Sequence, residues 1–284
     1  MIKTKKLFTI LLIFVLAFTA AGCSSNNKAE QYKEANKLAT EGKYKQAKEI
    51  YEDISSYEDS KKRINDCNFL ISIQNSISKR MKESDKKDPD DNQLVNSELG
   101  YLEKYKDIDF GDSKLKELSA KYLDGLYEQK KSLKETASYE SEYQWQEGRV
   151  KRFEVLKELH NKYSLCKNNN DFVASYVKTI DDEKALLTAY KAIDDDIGSQ
   201  MANGGDWKLE NGLFYVDLKN NTDYNFDIIF YLNYTNSDGV VVDSDSAEVY
   251  DIEAHSSYRV SAPAPDMNNF GCNWETYIDE VNNV

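Results

Sequence analysis

The chain is poor in the residue types that most enzymes and metal sites need. Its 284 residues include only 2 His and 3 Pro, and only five of its 37 basic residues are Arg. The two His, His160 and His255, lie far apart, which leaves little material for a His-assisted nucleophile or a zinc site. No C-x-x-C, Gly-x-Ser-x-Gly or phosphate-loop motif occurs. We therefore predict no enzyme activity, no catalytic residue, no metal site and no cofactor; a carboxylate pair stays an open alternative that no spacing singles out.

Positive charge is also in short supply. The net charge is −13, and because the first 22 residues carry three Lys and no acid, the remainder carries −16. Such an acidic body has no electrostatic affinity for nucleic acid or for an anionic lipid surface. With 40% apolar and 12% aromatic residues the composition is globular, and the length allows two domains.

The longest apolar run lies at the N-terminus, where residues 7–18 follow a basic start and precede small residues and Cys23. This order is typical of a secretory signal. Twelve helical residues rise about 18 Å, which is short of a hydrocarbon core of roughly 30 Å. A permanent transmembrane helix is therefore the weaker alternative.

The residues before Cys23, Ala20-Ala21-Gly22, resemble a bacterial lipobox, although Leu is more usual where this chain has Ala20. The resemblance implies a signal peptide at 1–22, diacylglyceryl and palmitate on Cys23, and a polar tether at 23–27. It places the protein on the outer, extracytoplasmic face of the cell membrane, with the acyl chains as its contact with the lipid. An ordinary signal peptide with an incidental Cys is the alternative.

The remaining cysteines, Cys67, Cys166 and Cys272, are widely spaced and odd in number. An odd count outside the cytoplasm leaves at least one free or intermolecular thiol. We expect all three to be small buried residues rather than ligands.

Residues 28–203 repeat apolar side chains at helical spacing, with a charged break around Pro89, and predict an antiparallel helical bundle or coiled coil. Asp112 is placed to cap one helix, and the last helix is predicted to carry a stripe from Val173 to Met201. The aromatic residues of these stripes favour core seams over the alternative of a ligand cage.

The first helical unit, at 28–67, contains the string Gly42-x-Tyr44-x-x-Ala47-x-x-x-Tyr51. This string resembles the middle of a tetratricopeptide repeat, a family that implies protein–protein interaction. Only one copy is legible, whereas a solenoid needs about three. We therefore predict one repeat-like hairpin at 28–67 that leads into a bundle at 68–203; a simple packing hairpin is the alternative.

The apolar period changes from 3.6 to 2 near Gly205, and five or six short strands follow, including 226–234, 240–243 and 247–252. The stretch 206–284 resembles the FxLYD domain, through Asn220-Asn221-Thr222, Asp238-Gly239 and the alternating residues 228–234. That family implies an immunoglobulin-like β-sandwich with a binding or spacing role. His255-Ser256 stands where the family more often has Pro-Gly.

Two acidic clusters were weighed as metal sites. The loop 88–92 lacks the Gly and Glu that a calcium loop requires, and Asp194, Asp195 and Asp196 point in different directions on a helix. We therefore predict a solvated loop between helices at 88–92 and no chelating face at Asp194, Asp195 and Asp196.

Together these features resemble a lipoprotein of a Gram-positive type of envelope. The sequence predicts a multi-domain chain, helical and then β, that binds or spaces other envelope components without catalysis. Its partner is an unidentified envelope protein or wall component. The alternatives are a solute-binding lipoprotein of a transporter and a cell-wall-active hydrolase.

Overall fold

The computed structural model describes residues 25–87, 89–134, 139–202, 205–265 and 271–282. In these ranges a helical region is followed by a C-terminal domain of two small antiparallel sheets, which confirms the predicted order of α and then β. The predicted signal and Cys23 lie outside the described residues. None of the helices in these ranges combines the length and the apolar character needed to span a bilayer.

Seven helices of at least ten residues form the described helical region: α1 (Ser25–Thr40), α2 (Tyr44–Asp53), α3 (Ser60–Ser84), α4 (Asp91–Leu102), α5 (Ser113–Ser132), α6 (Tyr139–Tyr163) and α7 (Ile180–Met201). Aspartate caps explain two of the starts, and the one at Asp112 was predicted. Asp112 Oδ1 accepts a hydrogen bond from the backbone N–H of Lys114 at the start of α5, and Asp90 Oδ1 does the same for Gln93 in α4.

The predicted N-terminal hairpin is formed by α1 and α2. Gly42 occupies the left-handed region in the turn, with a φ of +80°. Ala47 and Tyr51 are buried against α1, and the Tyr44 hydroxyl donates to the carbonyl of Tyr163 at 2.6 Å. The hairpin therefore packs on the end of α6 as part of the helical core.

A cluster of charged and phenolic groups joins α3 to the start of α5. The Arg63 guanidinium donates to the carboxylates of Asp59 and Asp66, and Asp66 also accepts from the backbone N–H of Gly111 at 2.9 Å. Burial raises the pKa of Asp66 to about 6, although Arg63 and the backbone donors oppose the shift.

Helices α5 and α6 approach each other most closely at a pair of glycines. A Cβ added to Gly125 would lie 2.6 Å from the carbonyl oxygen of Gly148, and one added to Gly148 would lie 2.5 Å from that of Gly125. Side chains at these positions would push α5 and α6 apart, because the nearest atoms they would meet are backbone carbonyl oxygens.

The last predicted helix is interrupted, which corrects the expectation of a single stripe from Val173 to Met201. A short helical turn, Asn170–Phe172, is followed by a π-helix, Val173–Val177, and only then by α7. Phe172 and Tyr176 both face the core, with ring centroids 5.4 Å apart. π-helical turns occur frequently at functional sites.

The C-terminal domain contains six strands: β1 (Lys208–Glu210), β2 (Leu213–Lys219), β3 (Asn225–Thr235), β4 (Val241–Ile252), β5 (Ser257–Pro263) and β6 (Gly271–Asn282). One sheet has the order β1-β2-β5 and the other β4-β3-β6, with all pairs antiparallel. The segments 240–243 and 247–252, predicted as two strands, are one edge strand, because the polar residues between them still pair with β3.

The two sheets share one hydrophobic core with the second half of α7. Ile193, Ile197 and Met201 of that helix are buried in the same cluster as Phe230 and Val260 of the strands. This arrangement is consistent with a small sandwich that has the end of a helix as part of its core.

Hydrogen bonds fix α7 to the turn between β2 and β3. Asp196 accepts from the backbone N–H and the side-chain amide of Asn221, and the Gln200 amide exchanges hydrogen bonds with the backbone of Lys219. Asp196 is therefore a structural hydrogen-bond acceptor.

Candidate functional site

The cysteine thiols offer no reactive centre in the described part of the chain. Cys67 and Cys166 are buried as expected, whereas Cys272 is only half-buried. Burial raises the pKa of the Cys67 thiol to about 12 and those of the other two to about 11, so all three are protonated at neutral pH. Cys23, the predicted lipidation site, lies outside the described residues.

A cleft of about 340 Å³ opens between the end of α3, the start of α4, α5, α6 and the π-helix. Three of the five arginines of the chain line it: Arg80, Arg149 and Arg152. Its wall also carries three aromatic side chains: Trp145, Phe153 and Tyr176. We call this feature, defined by these six residues, the arginine cleft. Its volume falls in the range of small-molecule sites.

A buried ion pair forms the deep side of the arginine cleft. Arg152 Nη2 donates to both carboxylate oxygens of Glu98 at 2.9 Å, and both residues are 1% exposed. The Tyr122 hydroxyl donates to the same carboxylate at 2.8 Å. Burial alone would lower the pKa of Arg152, but the Glu98 carboxylate and Tyr122 raise this pKa above its ordinary value. Arg152 is therefore a permanent buried cation.

A second guanidinium shares the same carboxylate. Arg80 Nη1 lies 3.3 Å from Glu98 Oε1, and the Arg80 side chain is only 10% exposed. Among the described residues, Glu98 is the only carboxylate within ion-pair distance of Arg80 or Arg152. Two largely buried cations thus share one carboxylate among the described residues, so this group of three side chains carries a net charge of +1.

The third arginine is neutralised locally. Arg149 Nη2 lies 2.7 Å from Glu183 Oε1 on α7, and the Gln146 amide donates to the other oxygen of Glu183. Arg149 also lies over the ring of Phe153, with its guanidinium carbon 5.3 Å from the centroid. This pair closes one side of the cleft and connects it to α7.

Two buried donors at the cleft have no acceptor among the described residues. They are Nε2 of Gln129, which is 0% exposed, and Nε of Arg152. The Gln129 carbonyl oxygen accepts from Arg152 Nη1 at 2.8 Å, which fixes the orientation of its amide. Buried donors without acceptors are unusual in native structures, because each one loses its hydrogen bonds to water. Both residues line the cleft.

The rim of the cleft is polar and exposed. It includes Asp85 and Asp91, on either side of the break at Pro89, and Ser175 of the π-helix. Solvent screens the charge of the two rim carboxylates, whereas the arginines at the base lie in a low-dielectric environment.

The arginine cleft is lined by hydrogen-bond donors and by apolar rings. It offers guanidinium and amide donors beside aromatic faces, and the two histidines of the chain are elsewhere: His160 Nδ1 lies 2.8 Å from the carbonyl of Leu165, and His255 contacts Asp223 on the β domain. In the described ranges no three His, Cys, Asp or Glu side chains come together as a metal site would require.

Sequence reasoning missed the arginine cleft because its residues are scattered over about one hundred positions. One signal was available: in a chain with 32 Lys and five Arg, the two arginines Arg149 and Arg152 stand three residues apart on one helix. Arg, unlike Lys, offers a planar and permanent charge that can form several directed hydrogen bonds.

Comparisons of the chain with protein-family models, with curated proteins and with solved structures found no match.

Proposed function

We propose that this chain is a non-enzymatic, lipid-anchored protein of the extracytoplasmic face of the membrane that binds an envelope component in the arginine cleft. The observation that carries the proposal is the cleft itself, where three of five arginines meet three aromatic rings. The hairpin α1–α2 and the β domain are proposed to position the cleft and to contact or space neighbouring proteins.

The anchor is tested with Cys23→Ala. The wild-type chain is expected in the membrane fraction of the cells, and the variant in the medium or the soluble envelope fraction, because two acyl chains supply most of the membrane affinity. The measurement is fractionation followed by immunoblotting. Equal membrane retention of both proteins would contradict a lipid anchor on Cys23.

Binding is tested by affinity capture from detergent-solubilised envelopes. Trp145→Leu removes one wall of the cleft, and Trp274→Leu in β6 is a matched control, because both indoles are half-buried. An envelope component should be retained by the wild type and by Trp274→Leu and lost by Trp145→Leu. Retention by all three proteins would place binding elsewhere.

Solute binding for a transporter is the second candidate, and the size of the cleft favours it. The described residues form helices and then strands rather than the two α/β lobes of such proteins. A solute receptor of this kind would therefore use the helical bundle alone.

A further inference from the structure

We infer that the arginine cleft binds a monovalent organic carboxylate, with the carboxylate at Arg80 and an apolar body against the aromatic wall. This inference rests on the proposed binding function of the cleft and adds the chemical class of the ligand.

The charge of the ligand follows from the buried ions. Arg80 and Arg152 together carry two positive charges, and Glu98 supplies one negative charge. A buried charge without a counter-ion is costly, since little solvent screens it. One bound monoanion would make the cluster neutral. A dianion would overcompensate it, and would also meet the rim carboxylates Asp85 and Asp91.

The acceptor geometry follows from the unused donors. Within the described ranges Arg80 makes one hydrogen bond, at 3.3 Å to Glu98, so most of its N–H groups have no acceptor there. The Gln129 amide nitrogen also has no acceptor in the described part of the chain, but it is fully buried beside Arg152. A planar carboxylate with two oxygens matches the guanidinium fork of Arg80.

The body of the ligand follows from the walls and the volume. Phe153 and Tyr176 are buried with ring centroids 5.0 Å apart, and Trp145 is half-buried beside them. Aromatic faces favour flat or aliphatic apolar groups over sugars bearing many hydroxyls. A cleft of about 340 Å³ admits a molecule of metabolite size rather than a folded partner.

The experiment uses the full-length chain in nanodiscs of neutral lipid, which avoids detergent in the cleft. Isothermal titration calorimetry compares phenylacetate and indole-3-acetate with phenylacetamide, acetate and inorganic phosphate. We expect the two aryl carboxylates to bind at least tenfold more tightly than each of the other three. Equal binding of phenylacetate and phenylacetamide would overturn the inference, as would preferential binding of phosphate.

The variant Arg80→Gln tests the position of the charge. It should lose at least tenfold in affinity for phenylacetate, while Glu98 keeps its paired hydrogen bonds from Arg152 and the fold is retained by circular dichroism. The control Arg259→Gln removes an exposed guanidinium that pairs with Asp217 on the β domain, and its affinity should be unchanged. Unchanged affinity in Arg80→Gln overturns the inference.

The two proposals fail differently. If none of the carboxylates binds but an envelope component is retained in a Trp145-dependent manner, the ligand class is wrong and the cleft is still a binding site. If neither binds, the binding function itself is refuted.

Discussion

Replacing Glu98 by Gln is the most direct test of the buried charge cluster. The substitution keeps the shape of the side chain but removes the single carboxylate that Arg80 and Arg152 share. Removing one partner of a buried ion pair costs about 3–5 kcal/mol, because the cation is left without a counter-ion. With two cations affected we expect a loss at the upper end of this range, against a total stability of roughly 5–15 kcal/mol.

The assay is thermal unfolding of the helical signal, followed by far-UV circular dichroism. For a domain of this size each kcal/mol lowers Tm by about 2–4 °C, so a loss of about 5 kcal/mol in Glu98→Gln should lower it by roughly 10–20 °C. The matched control is Glu154→Gln on α6, whose carboxylate also contacts two cations, Lys121 and Lys184, but at the surface. Its expected cost is below about 1 kcal/mol.

Two results would refute this reasoning. The first is a loss in Glu98→Gln no larger than that in Glu154→Gln. The second concerns the double variant Glu98→Gln with Arg80→Gln, which should recover part of the lost stability because it removes one of the two unpaired cations. A double variant less stable than Glu98→Gln would show that Arg80 does not carry the surplus charge.

Three further predictions concern stability. Because burial raises the pKa of Asp66 from 3.8 to about 6, its contribution is complete below 3.8 and is lost as the pH rises through 6; the unfolding free energy of the wild type relative to Asp66→Asn should therefore fall by about 2 kcal/mol between pH 4 and pH 7. Gly125→Ala should cost more than about 2 kcal/mol in urea unfolding, whereas Gly100→Ala, with open space around it, should be neutral or stabilising. Asn220→Ala should cost about 2–4 kcal/mol, because its buried amide donates two and accepts two hydrogen bonds in the β2–β3 turn.

Each of the three has a contradicting result. A pH-independent difference between wild type and Asp66→Asn would show that the carboxyl is not desolvated. Equal effects of alanine at Gly125 and Gly100 would contradict the close approach of α5 and α6. A thermal shift of less than about 2 °C for Asn220→Ala would show that the turn tolerates its loss.

The coarse fold was predictable because periodicity reports which face of an element is buried. Ala47 and Tyr51 fall at helical spacing in the hairpin, and Ile228 and Phe230 alternate in β3; all four are buried. Asp112 was predictable as a cap because the rule depends on neighbouring residues only.

The π-helix was not predictable because its residues keep ordinary helical spacing. Val173 and Val177 stand four residues apart, which is the period of an α-helix. Nothing in this spacing distinguishes the wider turn from an ordinary α-helix. The arginine cleft was missed for a related reason: Glu98 and Arg152 are 54 residues apart, and no local pattern reports a pairing made by the fold.

The position of α7 has a mechanical consequence. Its 22 residues rise about 33 Å as one continuous helix, with Ile180 in the helical core and Ile197 in the core of the sheets. Bending between the two cores would break backbone hydrogen bonds. The helix therefore connects the two cores rigidly rather than as a flexible linker. Glu183 on α7 forms an ion pair with Arg149 of the arginine cleft. A force applied to the β domain would therefore act through α7 on a residue of the cleft.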